Sequence, residues 1–326
     1  MTRVAVIDIG TVTARLAIAD VEDGKVQRLV RRSTIVNLGE GVDRTARLSV
    51  EACGRLILCV DGYLRMIAEA DVDATCCTLT SAARDAKNSG DLLAAFESRG
   101  LVAQVIPGKV EGSLTFLGVA QDFVGEQLLV ADNGGGSTEF ALGRLDAVSG
   151  LDLQKVRSID VGCRRVTERF LQRNDPPTAE DLREAHEFVA GEFAQVATWW
   201  TSEEDRPVRV VVTGGTSTTL VALSKALVPY ESSRVHLAQL TAEQVRLQEE
   251  RLAAVTAAER AEFAGIQPQR APVILGGAVA VSEILAATGF SALTVSESDL
   301  LFGMALTTAA AANGEATPVE WRPELS

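Results

Sequence analysis

One short pattern occurs twice in this chain and constrains its fold more than any other feature. Residues 4–13 read VAVIDIGTVT, and residues 129–138 read LVADNGGGST. In each copy an apolar run predicts a buried strand, an Asp stands near its end, and glycine permits a tight turn whose backbone N–H groups can face an anion. The repeat therefore predicts two equivalent hairpins that bind phosphate together with a metal ion.

Composition narrows the class of protein. A chain of 326 residues with 47% hydrophobic and 23% charged residues is typical of a globular protein with two domains. Its formal charge of −13 argues against broad nucleic-acid binding, and no apolar run approaches the length of a membrane span. The five cysteines form no CxxC pair, which disfavours a zinc site. We therefore expect a cytoplasmic protein with no nucleic-acid or membrane partner.

Strand-like and helical patterns alternate along the chain. This alternation predicts an α/β fold of two similar domains, each a sheet flanked by helices. We place the domains at residues 1–123 and 124–298, with a linker near 122–126 and a final helix at about 299–312 that packs back on the first domain. Helices are predicted at 49–69, at 178–200 and from Thr241, and strands at 4–9, 14–19, 75–80, 102–106, 127–131, 139–142, 208–212 and 273–275.

Two more glycine turns follow apolar runs. Residues 210–219 read VVVTGGTSTT, so that Gly214 and Gly215 precede a predicted helix whose N-terminal amides could hold an anion. Residues 273–281 read VILGGAVAV and repeat this plan. Either turn alone could also mark close packing of a helix on a sheet. Together, the four turns suggest one cleft with phosphate or nucleotide loops on both walls.

Several further segments, in this order, resemble the exopolyphosphatase and guanosine pentaphosphate phosphatase family, which belongs to the superfamily of actin-like ATPases and sugar kinases. The resemblance covers nearly the whole chain and implies two actin-like (ribonuclease H-like) domains with an interdomain cleft. The segments are LGEGVD at 38–43, TSAARDAKN at 80–88, VIPGKVEGSLTFLGV at 105–119, GCRRVTERF at 162–170 and VSESDLLFGMAL at 295–306.

The resemblance also implies catalytic residues. Glu111 occupies the family position of the base that activates the attacking water, a role that a carboxylate beside phosphate can perform. Asp8, Asp132 and Glu139 are the candidates for holding Mg²⁺, or alternatively Mn²⁺, since such ions prefer carboxylate oxygens.

Substrate phosphates need donors as well. Arg15 and Arg84 could offer bidentate contacts. Arg164, Arg165 and Arg169 are interpreted as a solvated helix face outside the core site, with guidance of a longer polyanion as the alternative. Backbone and hydroxyl donors are predicted at Gly10, Thr11, Thr13, Gly134, Gly135, Gly136, Ser137, Thr138, Gly214 and Gly215.

The chain departs from the family pattern at Val12, Val110, Pro107 and Pro272. Val12 stands where the family usually has Asn, and Val110 replaces the first glutamate of a family pair. These changes bear on rate and substrate more than on fold, because Glu111 and the triple glycine are retained.

The function expected from the resemblance is Mg²⁺-dependent release of terminal orthophosphate from inorganic polyphosphate. Short chains are expected as substrates, because the length of the chain fits the two core domains. Removal of the 5′-terminal phosphate of guanosine pentaphosphate, with a purine pocket near Gly214 or Gly276, is an alternative. So is a weakly active regulator that binds polyphosphate or guanosine tetraphosphate in the stringent response. A sugar kinase is less favoured because Glu111 suggests water as the nucleophile, and a homodimer is a further expectation from the family.

Overall fold

The computed structural model describes residues 1–200, 202 and 205–326. The chain forms two compact units, here called unit 1 (Met1–Gln121 and Asp299–Ser326) and unit 2 (Asp122–Ser298). Among the described residues, no helix combines the length and hydropathy needed to cross a membrane.

Unit 1 is built on a five-stranded mixed sheet. Its strands are β1 (Thr2–Ile9), β2 (Thr13–Glu22), β3 (Lys25–Ile35), β4 (Ala74–Leu79) and β5 (Ala103–Val105). They lie in the order β3-β2-β1-β4-β5, with antiparallel pairing among the first three strands and parallel pairing from β1 to β4 and from β4 to β5. Its helices are α1 (Val42–Thr45), α2 (Val50–Ala70), α3 (Ser81–Asp85), α4 (Ser89–Glu97), α5 (Gly108–Ala120) and α13 (Leu300–Ala312).

The first turn of α13 packs tightly on α5. A Cβ atom on Gly303 would lie 1.9 Å from the Leu114 carbonyl oxygen, and one on Gly118 would lie 2.1 Å from the Asp299 carbonyl oxygen. Both positions therefore require glycine, because the two helix backbones approach too closely for a side chain between them. This crossing fixes the start of α13 within unit 1.

Unit 2 repeats this plan with one additional strand. Its strands are β6 (Gln127–Asn133), β7 (Thr138–Asp146), β8 (Gly150–Ile159), β9 (Arg209–Thr213), β10 (Gln239–Thr241) and β11 (Ala292–Val295). They lie in the order β10-β11-β9-β6-β7-β8. Its helices are α6 (Cys163–Val166), α7 (Ala179–Phe193), α8 (Gly215–Ser224), α9 (Ser232–Val235), α10 (Ala242–Ala253), α11 (Ala257–Arg260) and α12 (Ile274–Thr288). Three single turns complete it, a π-helical turn at Thr167–Leu171 and 3-10 turns at Ala194–Thr198 and Pro268–Arg270.

The two sheets follow the same path. In each, an antiparallel meander of three strands (β1-β2-β3 or β6-β7-β8) is extended by parallel strands (β4 and β5, or β9 and β11) from its first strand. The predicted α/β fold with two similar sheets is confirmed. The helix starts predicted at Thr178 and Thr241 are confirmed as well, because each threonine caps its helix by accepting a hydrogen bond from a backbone N–H in the first turn.

One predicted strand is wrong. Residues 273–275 do not form a strand, because helix α12 begins at Ile274 and contains the Gly-Gly pair. A short apolar run cannot be assigned to a buried strand or a buried helix from its periodicity. The exposed edge strands β3 and β8 and the short strand β11 were not predicted, since polar residues interrupt the first two.

His186 joins three helices of unit 2. Its ring lies on α7, with Nε2 at 2.7 Å from Glu249 Oε1 on α10 and Nδ1 at 2.7 Å from Glu283 Oε1 on α12. The hydrogen bond to Glu249 and, to a smaller extent, the one to Glu283 raise the pKa of His186 to about 10. The imidazole is therefore protonated at neutral pH and bridges two carboxylates.

This bridge should make stability depend on alkaline pH. Because the folded pKa of about 10 lies above the ordinary value of 6.5, the stabilisation is complete below pH 6.5 and is lost as the pH rises through 10. We expect His186→Gln to lower the free energy of unfolding by about 1–3 kcal/mol at pH 6 and by much less at pH 10. Urea denaturation at pH 6, 8 and 10 measures this difference.

The other histidine provides the control. His236→Gln should keep the wild-type decline in stability between pH 6 and pH 10. A decline of the same size in His186→Gln would contradict the assignment.

Candidate active site

The two hairpins have the same geometry. We call residues 10–13, after β1, loop 1 and residues 134–137, after β6, loop 2. The N–H of Gly10 donates to the carbonyl of Thr13 at 2.9 Å, and the N–H of Gly134 donates to the carbonyl of Ser137 at 3.0 Å. A Cβ atom on either glycine would lie 3.2 Å from that same carbonyl oxygen. The predicted duplication of the hairpin is confirmed.

The segment that follows β3 supports loop 1. The N–H groups of Val36 and Asn37 both donate to the Val12 carbonyl at 2.9 Å, and the N–H of Gly39 donates to the Thr11 carbonyl at 2.8 Å. A Cβ on Gly39 would lie 2.3 Å from Thr11 Cγ2. Residues 36–39, which include the start of the LGEGVD segment, therefore hold loop 1 in place.

The segment that follows β8 supports loop 2 in the same way. The N–H of Cys163 donates to the Gly134 carbonyl at 2.9 Å, and the N–H of Arg164 donates to the Gly135 carbonyl at 2.9 Å. A Cβ on Gly162 would lie 2.4 Å from the carbonyl carbon of Gly135. Each loop thus rests on the backbone of a following segment that contains a glycine at the point of closest approach.

This support orients the amides of both loops. In a trans peptide the N–H points opposite to the carbonyl of the preceding residue. The carbonyls of Thr11, Gly134 and Gly135 are turned to the supporting segments. The N–H groups of Val12, Gly135 and Gly136 therefore point away from those segments, which is the arrangement that binds an anion.

Asp8 lies near the end of β1, and its carboxylate is buried with hydrogen-bond partners on one oxygen. It lies opposite Arg15 in the β1–β2 pair, and Arg15 donates to Asp8 Oδ2 from Nε at 2.9 Å and from Nη2 at 2.7 Å. Arg15 Nη1 also contacts Asp299 Oδ2. Burial raises the pKa of Asp8 above its ordinary value, and the charge of Arg15 partly offsets this rise.

The second hairpin places two acids opposite each other. Asp132 on β6 pairs in register with Glu139 on β7, and both residues are buried. Ser158 Oγ donates to Glu139 Oε1 at 2.6 Å. Two like charges opposite each other on adjacent strands repel, and a divalent cation would relieve that repulsion. Within the described ranges, no group of three His, Cys, Asp or Glu side chains forms a metal cluster.

Glu111 and Arg84 form an ion pair in unit 1. Glu111 lies in the first turn of α5, and Arg84 lies in α3. Arg84 Nη1 donates to Glu111 Oε2 at 2.7 Å and to the Ile106 carbonyl at 3.0 Å. The Glu111 side chain is 10% exposed and the Arg84 side chain is 21% exposed, so solvent reaches both. The arginine thereby orients the carboxylate that the sequence predicts as the base.

The third glycine turn lies against the end of β6, next to loop 2. Gly214 has φ 103°, a conformation that favours glycine, and a Cβ there would lie 2.7 Å from the Asn133 carbonyl oxygen. Gly215 begins α8, and a Cβ on it would lie 2.0 Å from Arg270 Nη1. Gly214 thus lies beside the second hairpin, whereas Gly215 lies beside Arg270, a residue that the sequence did not single out. The predicted role of Gly214 and Gly215 in substrate binding stays a prediction.

The fourth glycine pair has a packing role. Gly276 and Gly277 lie inside α12, where Cβ atoms would lie 2.5 Å from the Cys163 carbonyl oxygen and 2.2 Å from Thr216 Oγ1. Protein atoms occupy the Cβ side of both glycines, so a ligand has no room on that side of the helix. The suggested purine pocket near Gly276 stays a prediction.

Two side chains hold loop 2 from within. Thr138 is fully buried, and its hydroxyl donates to the Val161 carbonyl while accepting from Asn133 Nδ2 at 3.0 Å. Arg165 Nε donates to the Gly136 carbonyl at 2.7 Å. The interpretation of Arg165 as part of a solvated helix face is wrong, since only 9% of this residue is exposed. The position of Arg165 shortly after Gly162, the glycine of the supporting segment, was the signal that could have indicated this role.

The other two arginines of that cluster have local partners. Arg164 Nη1 donates to Glu168 Oε1 at 3.2 Å, and the Arg169 guanidinium lies 5.3 Å from the centre of the Phe188 ring.

Nearly the whole chain is similar to known phosphatases. Residues 17–309 match the Ppx/GppA phosphatase family. The chain is 36% identical to Exopolyphosphatase 2 of Mycobacterium tuberculosis, over 95% of this chain and 99% of that protein.

Solved structures agree with this similarity. The crystal structure of an exopolyphosphatase-like protein superposes with a TM-score of 0.86 at 33% identity, over 94% of this chain and 97% of the other. The type II variant of the Aquifex aeolicus Ppx/GppA phosphatase superposes with a TM-score of 0.73 at 32% identity, over 94% of this chain and 99% of the other.

The contact between Gly162 and loop 2 predicts a local effect of substitution. Gly162→Ala would place a methyl group against the loop backbone, so we expect the free energy of unfolding to fall by about 1–3 kcal/mol in urea denaturation followed by tryptophan fluorescence. The control is Gly191→Ala on α7, where a Cβ meets nothing within 4 Å. Alanine should stabilise that helix by up to about 1 kcal/mol. Equal effects of the two substitutions would contradict the crowding at Gly162.

Proposed function

Because the chain belongs to the Ppx/GppA phosphatase family, we propose that it hydrolyses the terminal phosphoanhydride bond of inorganic polyphosphate and releases orthophosphate. The observation that carries this proposal is the pair of equivalent hairpins. Each has an Asp on its first strand and loop amides turned away from the supporting segment. Amides and carboxylates in this arrangement suit a phosphate chain neutralised by a divalent cation.

Glu111 is the proposed general base. As a water oxygen attacks the terminal phosphorus, one proton of that water passes to the Glu111 carboxylate. The bond from the terminal phosphorus to the bridging oxygen breaks, and the shortened chain leaves with that oxygen. Arg84 supports this role because it contacts Oε2 and so orients the carboxylate.

Asp8, Asp132 and Glu139 are the proposed holders of Mg²⁺, with Mn²⁺ as the alternative. Two features of the chain fit a cation: the buried Asp8 Oδ1 has no hydrogen-bond partner, and Asp132 lies opposite Glu139. When bound, the ion would neutralise phosphate charge in the ground state and in the transition state.

The substrate range is also a proposal. Polyphosphate is favoured because Exopolyphosphatase 2 is a relative along nearly its entire length. A preference for short chains stays a prediction from the sequence, as do a homodimer and a cytoplasmic location. Guanosine pentaphosphate is the competing substrate, with Gly214 or Gly276 as the candidate position for a purine contact.

The central test is Glu111→Gln. Glutamine keeps an acceptor for Arg84 but removes the base, so kcat for phosphate release should fall by about 10²- to 10⁴-fold with little change in unfolding. The assay measures Mg²⁺-dependent phosphate release from short polyphosphate, long polyphosphate and guanosine pentaphosphate in parallel.

Glu97→Gln is the matched control, because Glu97 is an exposed glutamate of unit 1 on α4. It should hydrolyse substrate at the wild-type rate. An unchanged kcat in Glu111→Gln would remove Glu111 from the mechanism, and release from guanosine pentaphosphate alone would replace the proposed substrate.

One residue of loop 1 favours a second candidate function, that of a weakly active regulator. Val12 is buried, with 5% of its surface exposed, and its carbonyl is fixed by two backbone hydrogen bonds. An apolar side chain there supplies no donor to a phosphate oxygen, which would reduce turnover without removing binding.

Val12→Asn tests this candidate. We expect the backbone of loop 1 to persist, the free energy of unfolding to fall by about 1–2 kcal/mol, and kcat/KM to rise by about tenfold, the gain from one added hydrogen bond to a charged group. Phosphate-release kinetics and urea denaturation check the two effects. Tight polyphosphate binding by the wild type without release would support the regulator, whereas an unchanged kcat/KM in the variant would contradict a role for Val12.

A further inference from the structure

The residue that faces the equivalent Asp of each hairpin differs between the two units. Arg15 faces Asp8 across the β1–β2 pair, whereas Glu139 faces Asp132 across the β6–β7 pair. The Asp of the first hairpin therefore faces a guanidinium, whereas the Asp of the second hairpin faces another carboxylate. The sequence assigned Arg15 to substrate phosphate, but its contacts indicate another role.

Arg15 holds only one oxygen of Asp8. Its Nε and Nη2 atoms converge on Oδ2, while Oδ1 is buried and has no hydrogen-bond partner. A buried acceptor without a partner destabilises the folded state, so its retention needs a cause such as a ligand.

An ordinary ion pair occurs at the other end of the same hairpin. Arg3 lies opposite Asp20 in the β1–β2 pair, and its Nε and Nη2 atoms contact Oδ1 at 2.6 Å and Oδ2 at 3.3 Å. Both oxygens of Asp20 are thus satisfied. The one-sided contact of Arg15 is a specific feature of the loop end of the hairpin.

Asp299 fixes the remaining nitrogen of Arg15. Asp299 Oδ2 contacts Arg15 Nη1, and Oδ1 accepts from the N–H of Leu301 at 2.9 Å as the cap of α13. The guanidinium is held by two carboxylates and does not need to turn towards Asp8 Oδ1. Two carboxylates with one guanidinium also leave an excess of negative charge, which favours a cation nearby.

We propose that Arg15 is a positioning residue that fixes Asp8 through Oδ2, so that Oδ1 is kept for a divalent cation or for a water bound to it, with Asp299 anchoring Arg15. This inference rests on the proposed function only in taking Asp8 as a holder of the cation. It replaces the assignment of Arg15 to substrate phosphate.

The experiment measures Mn²⁺ binding by electron paramagnetic resonance, without substrate and without turnover. Residues that orient a metal ligand typically change metal affinity by about 10- to 100-fold. We therefore expect Arg15→Gln to raise the dissociation constant for Mn²⁺ at least tenfold, and Arg15→Lys and Asp299→Asn to raise it less. The matched control, Arg3→Gln, removes the other arginine of the same strand pair and should change it less than twofold.

Several outcomes would overturn the inference. Wild-type affinity in Arg15→Gln, equal losses in Arg15→Gln and Arg3→Gln, or no Mn²⁺ binding by the wild-type protein would each do so. If Arg15→Gln fails to fold in urea denaturation, Arg15→Lys and Asp299→Asn decide, and wild-type affinity in both would overturn it. Absence of phosphate release by the wild type would defeat the proposed hydrolysis but not this comparison, because the titration needs no turnover.

Discussion

The hydrogen bonds from the supporting segments to the carbonyls of loops 1 and 2 are the interactions on which the candidate site depends. They fix the peptide planes, and the planes decide where the loop N–H groups point. The close approach of the supporting segments to the loops requires glycine at Gly39 and Gly162. It also requires strands β3 and β8, because each supporting segment directly follows one of them. The outer strands of each meander, which are exposed and contribute little to the core, are therefore required for the geometry of the loops.

The duplicated hairpin carries different charges in its two copies. One copy pairs Asp8 with Arg15 and the other pairs Asp132 with Glu139, on the same backbone. The two copies share the backbone that closes the turn and orients the amides. They differ in the side chain opposite the aspartate, so each unit presents a different charge beside its own loop.

The sequence predicted those features that depend on local pattern. The hairpins, the α/β class and the turn at Gly214 follow from apolar runs that end in glycine. It failed where a long-range contact decides. Gly276 was interpreted as part of a turn but lies inside α12 against Cys163, Arg165 was interpreted as solvated but contacts Gly136, and the contacts of Arg15 with two carboxylates were not predicted. No periodicity reports such partners, because they lie far apart along the chain or on another element.

Unit 1 is discontinuous, since its last helix follows the whole of unit 2 in the sequence. During synthesis the ribosome completes residues 122–298 before α13 emerges. Asp8 and Arg15 are among the first residues synthesised, yet the contact of Arg15 with Asp299 can form only after residue 299 has been added. Likewise, α5 can pack on Gly303 only after α13 has been synthesised. The first hairpin thus acquires its final electrostatic partner nearly last, so the contiguous second unit can reach its native state while the first is still incomplete.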